Sequence, residues 1–201
     1  MTDLLPRIWT LLAEGANAGR ERSPFTMLQL ATLGLDGAPR VRTVVLRGVD
    51  AGQGSLLFHT DARSAKLAEL RHDGRAALVG CDLAGGLQIR VEGTASVLAD
   101  EARRLAIWQA SRPRTLILYR APLPPGTPVA APADAHPASA ASAASAASAA
   151  AADDALDGFA NFAVIELRAE AIDWLDLAAD GHRRARFVRE PAGWQGNWIA
   201  P

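Results

Sequence analysis

Two arginines bracket a run of β-branched and aliphatic residues, Arg42-Thr43-Val44-Val45-Leu46-Arg47, and Phe58-His59-Thr60-Asp61-Ala62-Arg63-Ser64-Ala65-Lys66 follows shortly after. The first run favours a strand. The second joins an apolar strand to a helix start that carries the hydroxyl of Thr60, a capping Ser64 and Lys66. Such a junction gathers side-chain donors and unpaired backbone amides around one anion, and that is how a fold grips a phosphate. Arg42 and Arg47 are five positions apart, so in an unbroken strand they point to opposite faces. Either the strand bulges, or the two contact different groups. The plainer alternative is a solvated pair of arginines, with Ser64 as a simple cap and Lys66 in solvent.

Other residues offer ring recognition. Gln88 can both donate to and accept from the edge of a heterocycle, or be an ordinary exposed glutamine. Trp174 and the cluster His182-Arg183-Arg184-Ala185-Arg186 offer an aromatic wall and cations, or a basic surface loop. His59 and His72 are isolated, and no His/Cys spacing suits a metal. The sequence also has no Gly-rich nucleotide loop and no nucleophile elbow.

These residues need a scaffold. From Phe25 to Val97 the pattern is β-rich with turn punctuation, as in a small antiparallel barrel. Thr26 to Leu33 reads as a strand, Asp36-Gly37 as a hairpin turn and Val41 to Leu46 as the returning strand. Gly52-Gln53-Gly54 turns the chain into a third strand, Ser55 to Phe58. Ser64 then caps a short helix through Leu70, with Leu67 and Leu70 facing inward. Ala76 to Val79 and Leu87 to Val97 complete the block. In the latter, Leu87, Ile89 and Val91 share one face, and Gln88, Arg90 and Glu92 the other.

Helices flank this block. Leu5, Ile8, Trp9 and Leu12 mark the apolar face of an N-terminal helix. A second helix, capped by Asp100, runs through Trp108 to a stop at Ser111-Arg112-Pro113, with Leu105 and Trp108 on its core face. Phe162 to Leu167 and Ile172 to Leu177 read as two strand-like segments. Arg186 to Val188 pairs with Trp194 to Ile199 across Glu190-Pro191-Ala192-Gly193. The fold class is mainly β with flanking helices (α+β), a single domain over residues 1–201. Between about 122 and 157 the chain turns to Pro-Leu-Pro-Pro-Gly and Ala-Ala-Ser repeats, too poor in large apolar residues to offset ordering entropy. We expect a flexible insertion there, compatible with transient helix over 138–152.

Composition excludes several classes. With 201 residues, 49% hydrophobic and 21% charged, the chain can bury one core. A net charge of -1 leaves no excess of cations to track a nucleic-acid backbone. The lone cysteine, Cys81, precludes an intrachain disulfide and fits a reducing compartment. The N-terminal residues lack a basic, uninterrupted secretory leader, and no stretch approaches the ~20 apolar residues of a membrane span. The expectation is a soluble cytoplasmic protein with no nucleic-acid or membrane partner.

Taken together, Arg42 to Arg47, Phe58-His59-Thr60, Ser64-Ala65-Lys66, Gln88, Ser111-Arg112-Pro113-Arg114, Trp174, Arg186-Phe187 and the closing Ile199-Ala200-Pro201 resemble pyridoxamine 5'-phosphate oxidase and its FMN-binding split-barrel relatives. The likeness runs from about Phe25 to the C-terminus, interrupted by the Ala/Ser segment. It implies an antiparallel split β-barrel that binds FMN at the interface of a homodimer. Arg42, Thr43, Val44, Val45 and Leu46 would line the flavin, with Thr60, Ser64 and Lys66 near the ribityl phosphate and His59 a further cofactor-binding residue. Gln88, Trp174 and Arg186 would approach the ring system. An FMN phosphate carries close to two negative charges, which suits arginine and lysine donors.

The departures fall on the substrate side. The oxidase's substrate-phosphate ligands correspond to Arg47, Trp108, Arg112 and Leu116, of which Arg112 alone is identical. Trp108 and Leu116 cannot replace a phenol and a hydroxyl as donors. The oxidase's Arg and His over the substrate correspond to His182 and Arg184, an exchanged pair. On the cofactor side Ala65 stands where the oxidase has an arginine, with Arg63 nearby. The resemblance implies a flavin-dependent oxidoreductase of small molecules with an altered substrate site. The alternatives are a non-catalytic flavin-binding or sensing module, or a split barrel using haem or deazaflavin.

Overall fold

The computed structural model describes residues 1–19, 23–135, 156–177 and 181–201. It places eight antiparallel strands in one sheet in the order β3-β2-β1-β4-β5-β6-β7-β8. The strands are β1 Met27–Leu33, β2 Pro39–Asp50, β3 Ser55–Asp61, β4 Arg75–Asp82, β5 Leu87–Val97, β6 Phe162–Asp176, β7 Arg183–Glu190 and β8 Gly193–Ile199. A further pairing of β3 with β6 closes the first six into a barrel. The Ala169 N–H donates to Gly54 O at 2.8 Å on that seam. Helices α1 Leu4–Asn17, α2 Ala65–His72 and α3 Glu101–Ala110 flank the strands. Among the described residues no helix is long and apolar enough to cross a membrane.

The chain divides into two compact units, one of residues 1–59, 68–97 and 165–201, the other of residues 60–67 and 98–164. In the first, the inward rows of the barrel are Leu28 and Leu30, Val44 and Leu46, Leu78, Ile89 and Val91, and Ile172, all 8% exposed or less. This is the period-two alternation read from β5. Ile8, Trp9 and Leu12 bury the apolar face of α1, and Trp9 meets Trp194 edge-on with centroids 6.2 Å apart. Where β5 slips register against β6 between Glu92 and Gly93, a Cβ on Gly93 would sit 2.0 Å from Arg168 O. Only glycine fits that approach.

In the second unit, Asp100 caps α3 by accepting from the Arg103 N–H. Trp108, 2% exposed, packs against Tyr119, Phe159 and Phe162 at centroid distances of 6.0, 5.6 and 5.2 Å. Arg104 lies 4.0 Å over the Phe159 ring and donates to Phe162 O at 2.7 Å. Leu105, expected on the core face, is half-buried.

Several boundaries differ from those read in the sequence, three of them in ways that change the layout. The segments expected at 162–167 and 172–177 are one continuous strand, β6. β2 continues past Leu46 to Asp50. Arg183 to Arg186 lie inside β7 and not in a surface loop. Ladder pairing causes all three: β5 runs along β6 from Ile165 to Asp176, β3 pairs with β2 as far as Asp50, and β8 pairs with β7 from Arg184 onward, so lateral hydrogen bonds override weak local propensity. Of the segment 122–157, residues 136–155 lie outside the described residues. Pro132–Ala135 forms a single 3₁₀ turn.

Candidate functional site

In the second unit β3 ends and α2 begins within a few residues, and this short span brings three predicted groups together. The Thr60 and Ser64 hydroxyls are 3.2 Å apart, and Lys66 Nζ donates to Thr60 Oγ1 at 2.9 Å. Thr60 and Ser64 are 7% and 5% exposed. A buried pair of hydroxyls holding an ammonium at the start of a helix is a donor set suited to an anion.

Beside it opens a cavity of about 380 Å³ in the same unit, lined by Thr60, Asp61, Tyr119, Leu123, Pro124 and Val129 among others. Arg63 builds its edge: it binds Asp61 through Nε at 3.0 Å and NH2 at 2.7 Å, and donates to Ala121 O at 2.9 Å. Asp61 holds the Arg63 guanidinium above its usual pKa. Thr127 closes the turn by donating to Pro124 O at 2.8 Å, and Gly126 takes a positive φ of 89° there. Sequence reading missed Asp61, Tyr119 and the residues from Leu123 to Val129. The only signal was Pro-Pro-Gly, which marks a turn and not a wall. Trp108 and Leu116 in this unit are 2% and 8% exposed, while Arg112 is exposed.

In the barrel unit, Arg42 continues the inward row of Val44 and Leu46. Its guanidinium meets Glu69 Oε2 at 2.5 Å and Thr32 Oγ1. Thr43 is exposed, Val45 half-buried and Arg47 exposed. The β2–β3 register shifts between Leu46 and Gly48, so Arg47 stands on a bulge. His59 lies in its field: burial, then the Arg47 charge, pushes the imidazole down to about 4, leaving it neutral at physiological pH.

The outward face of β5, β6 and β7 carries a cross-strand charge ladder. Gln88 registers with Leu175 and through it Arg184, and Arg90 registers with Asp173 and through it Arg186. Asp173, 2% exposed, accepts from Arg90 and Arg184, each at 2.9 Å. Burial alone would raise its carboxyl, but the two arginines outweigh that and hold it below the ordinary value. Arg186 donates to Glu92 at 2.8 Å. Trp174 registers with Ile89 and Ala185, hence on the opposite face. It is 4% exposed, and its Nε1 has no partner among the described residues. Gln88, Arg184 and Arg186 are therefore brought to one face, and Trp174 is not. His182 is exposed and, with Arg184 and Trp198, borders a small cavity of about 350 Å³.

This chain has clear relatives. A family model described as the pyridoxamine 5'-phosphate oxidase FMN-binding domain matches residues 6–99. The chain is 33% identical over 128 residues to pyridoxine/pyridoxamine 5'-phosphate oxidase 2 of Arabidopsis thaliana, covering 60% of this chain and 64% of that protein. It is 30% identical over 194 residues to the pyridoxine/pyridoxamine 5'-phosphate oxidase of Chromobacterium violaceum, covering 88% and 79% respectively. Its fold is similar to that of a pyridoxamine 5'-phosphate oxidase-related FMN-binding protein of Nostoc punctiforme, with a TM-score of 0.76, 23% identity and coverage of 98% and 96%. The closed antiparallel barrel and the matched FMN-binding domain agree with this likeness, and the chain belongs to the pyridoxamine 5'-phosphate oxidase family of FMN-binding split-barrel proteins.

Proposed function

We propose that this protein is an FMN-dependent oxidoreductase that passes two electrons between a small molecule and the flavin, working as a cytoplasmic homodimer. The observation that carries the reading is the Thr60–Ser64–Lys66 cluster beside the cavity of the second unit. The donor set fits the phosphate of FMN, and the buried, unpartnered Trp174 Nε1 fits a unit that awaits a polar acceptor. In such enzymes the flavin supplies the redox chemistry, while the protein binds, orients and tunes it.

The chain's own residues do three things in this reading. Lys66, held by Thr60, supplies a cation to the phosphate. Gln88, Arg184 and Arg186 present polar groups on one face of the sheet, while Arg47, on the β2 bulge, and His182, just before β7, are exposed. Neutral His59 adds hydrogen-bonding capacity without charge. Trp108 and Leu116 are core residues and cannot hold a substrate phosphate, which favours a substrate other than pyridoxamine 5'-phosphate. The same observation supports a second reading, a flavin-binding module with no turnover.

Purified protein is expected to release FMN on denaturation, to show flavin absorption, and to bind FMN more tightly than riboflavin. Absence of flavin together with failure to bind added FMN would overturn the reading. Turnover of the reduced flavin with oxygen or a small electron acceptor separates the enzyme from the module, and sedimentation tests the dimer.

A further inference from the structure

Glu69 sits in the middle of α2 and is 6% exposed. A carboxylate is kept in such a place only where its charge and lone pairs are met. Two groups meet it at the same oxygen: the Thr32 hydroxyl donates to Oε2 at 2.6 Å, and Arg42 NH2 at 2.5 Å. Arg42 NH1 closes the triangle by donating to the Thr32 hydroxyl, with Leu30 O at 3.4 Å behind it. Thr32 comes from β1, Arg42 from β2 and Glu69 from α2, all within the barrel unit.

The triangle fixes the guanidinium plane through both terminal nitrogens. Among the described residues, the Arg42 Nε–H and the second NH2 hydrogen have no acceptor, and the side chain keeps 22% exposure. A buried ion pair adds little stability over apolar packing of the same volume. It does fix a planar fork in advance, so that a later acceptor meets aligned donors with little entropy left to lose.

We propose that Glu69 is a positioning residue for cofactor recognition: its carboxylate orients Arg42 so that the uncommitted donors meet a phosphate oxygen. The proposal rests on the FMN reading above. Glu69 acts through Arg42 and touches neither flavin nor substrate.

The test compares FMN with riboflavin, which lacks the phosphate, by titrating each into protein stripped of flavin. Glu69→Ala is expected to lower the FMN-to-riboflavin affinity ratio about tenfold, the scale of one hydrogen bond to a charged group. Arg42→Ala should lower it as much, and the double variant no further, because the two act as one unit. Glu69→Gln, whose amide oxygen still accepts from Arg42, should keep the ratio within about threefold. Should Glu69→Ala fail to fold, Thr32→Val reads the same contact and is expected to lower the ratio about threefold. An unchanged ratio in these variants, equal weakening of both flavins, or additive losses in the double variant would overturn the proposal. A wild-type protein that does not prefer FMN defeats the phosphate reading itself, a result visible before any variant is made.

Discussion

On the barrel unit's strands several arginines meet carboxylates: Arg42 with Glu69, Arg90 and Arg184 with Asp173, Arg186 with Glu92. In the second unit Lys66 rests on a neutral hydroxyl, and the nearby carboxylate of Asp61 is taken by Arg63. The two arrangements leave different things for a ligand. An arginine locked to a carboxylate offers aligned hydrogens but little net charge. The Thr60 contact places the Lys66 ammonium at the strand end and helix start, beside the Ser64 hydroxyl. Sheet integrity should accordingly depend on the ion pairs of the first unit, and Lys66 of the second should matter to anion binding more than to stability.

The largest expected effect breaks the barrel's ladder. Asp173→Ala leaves Arg90 and Arg184 without their shared acceptor and should lower stability by about 3 kcal/mol, at the bottom of the range for broken buried pairs because both arginines are partly exposed. Denaturant unfolding measures it. A loss below about 1 kcal/mol would make the ladder decorative.

Next comes the charge that the barrel keeps out. The His59 pKa falls from 6.5 unfolded to about 4 folded. Above pH 6.5 both states are neutral and the group contributes its full share of stability. As pH falls from 6.5 through 4 the unfolded chain takes up a proton that the folded one refuses, and up to about 3 kcal/mol is lost. His59→Gln should flatten that part of the stability curve relative to wild type. Parallel curves would show that the imidazole titrates normally.

The smallest effect sharpens the contrast. Lys66→Ala should weaken FMN binding by about 1 to 3 kcal/mol with riboflavin binding and thermal stability little changed. Equal losses for both flavins would return Lys66 to a structural role.

Much of the frame was legible before the structure. β5 was read with its bounds and its two faces, because alternation is a local property of eleven residues in a row. The Asp100 cap and the core-facing side of α3 at Trp108 were legible for the same reason, since both are read from spacing within one helix. The Thr60, Ser64 and Lys66 cluster was legible because a strand end and a helix start are adjacent in sequence. The cavity wall from Tyr119 to Val129 was not, since a Pro-rich stretch looks the same whether it lines a cavity or trails in solvent.

What the sequence by itself determined is the set of elements and the chemistry available on each: strand faces, helix caps, and donors gathered at one junction. Only the tertiary structure decided which of those donors are spent. Arg42 finds Glu69 across 27 positions and Arg90 finds Asp173 across 83, distances that no local pattern spans. Those pairings exist because strands distant in sequence lie side by side in the sheet, which carries β5 to β6 and seats α2 against Thr32 and Arg42 at the barrel. Alternation says which way a side chain points. The fold says what it meets there.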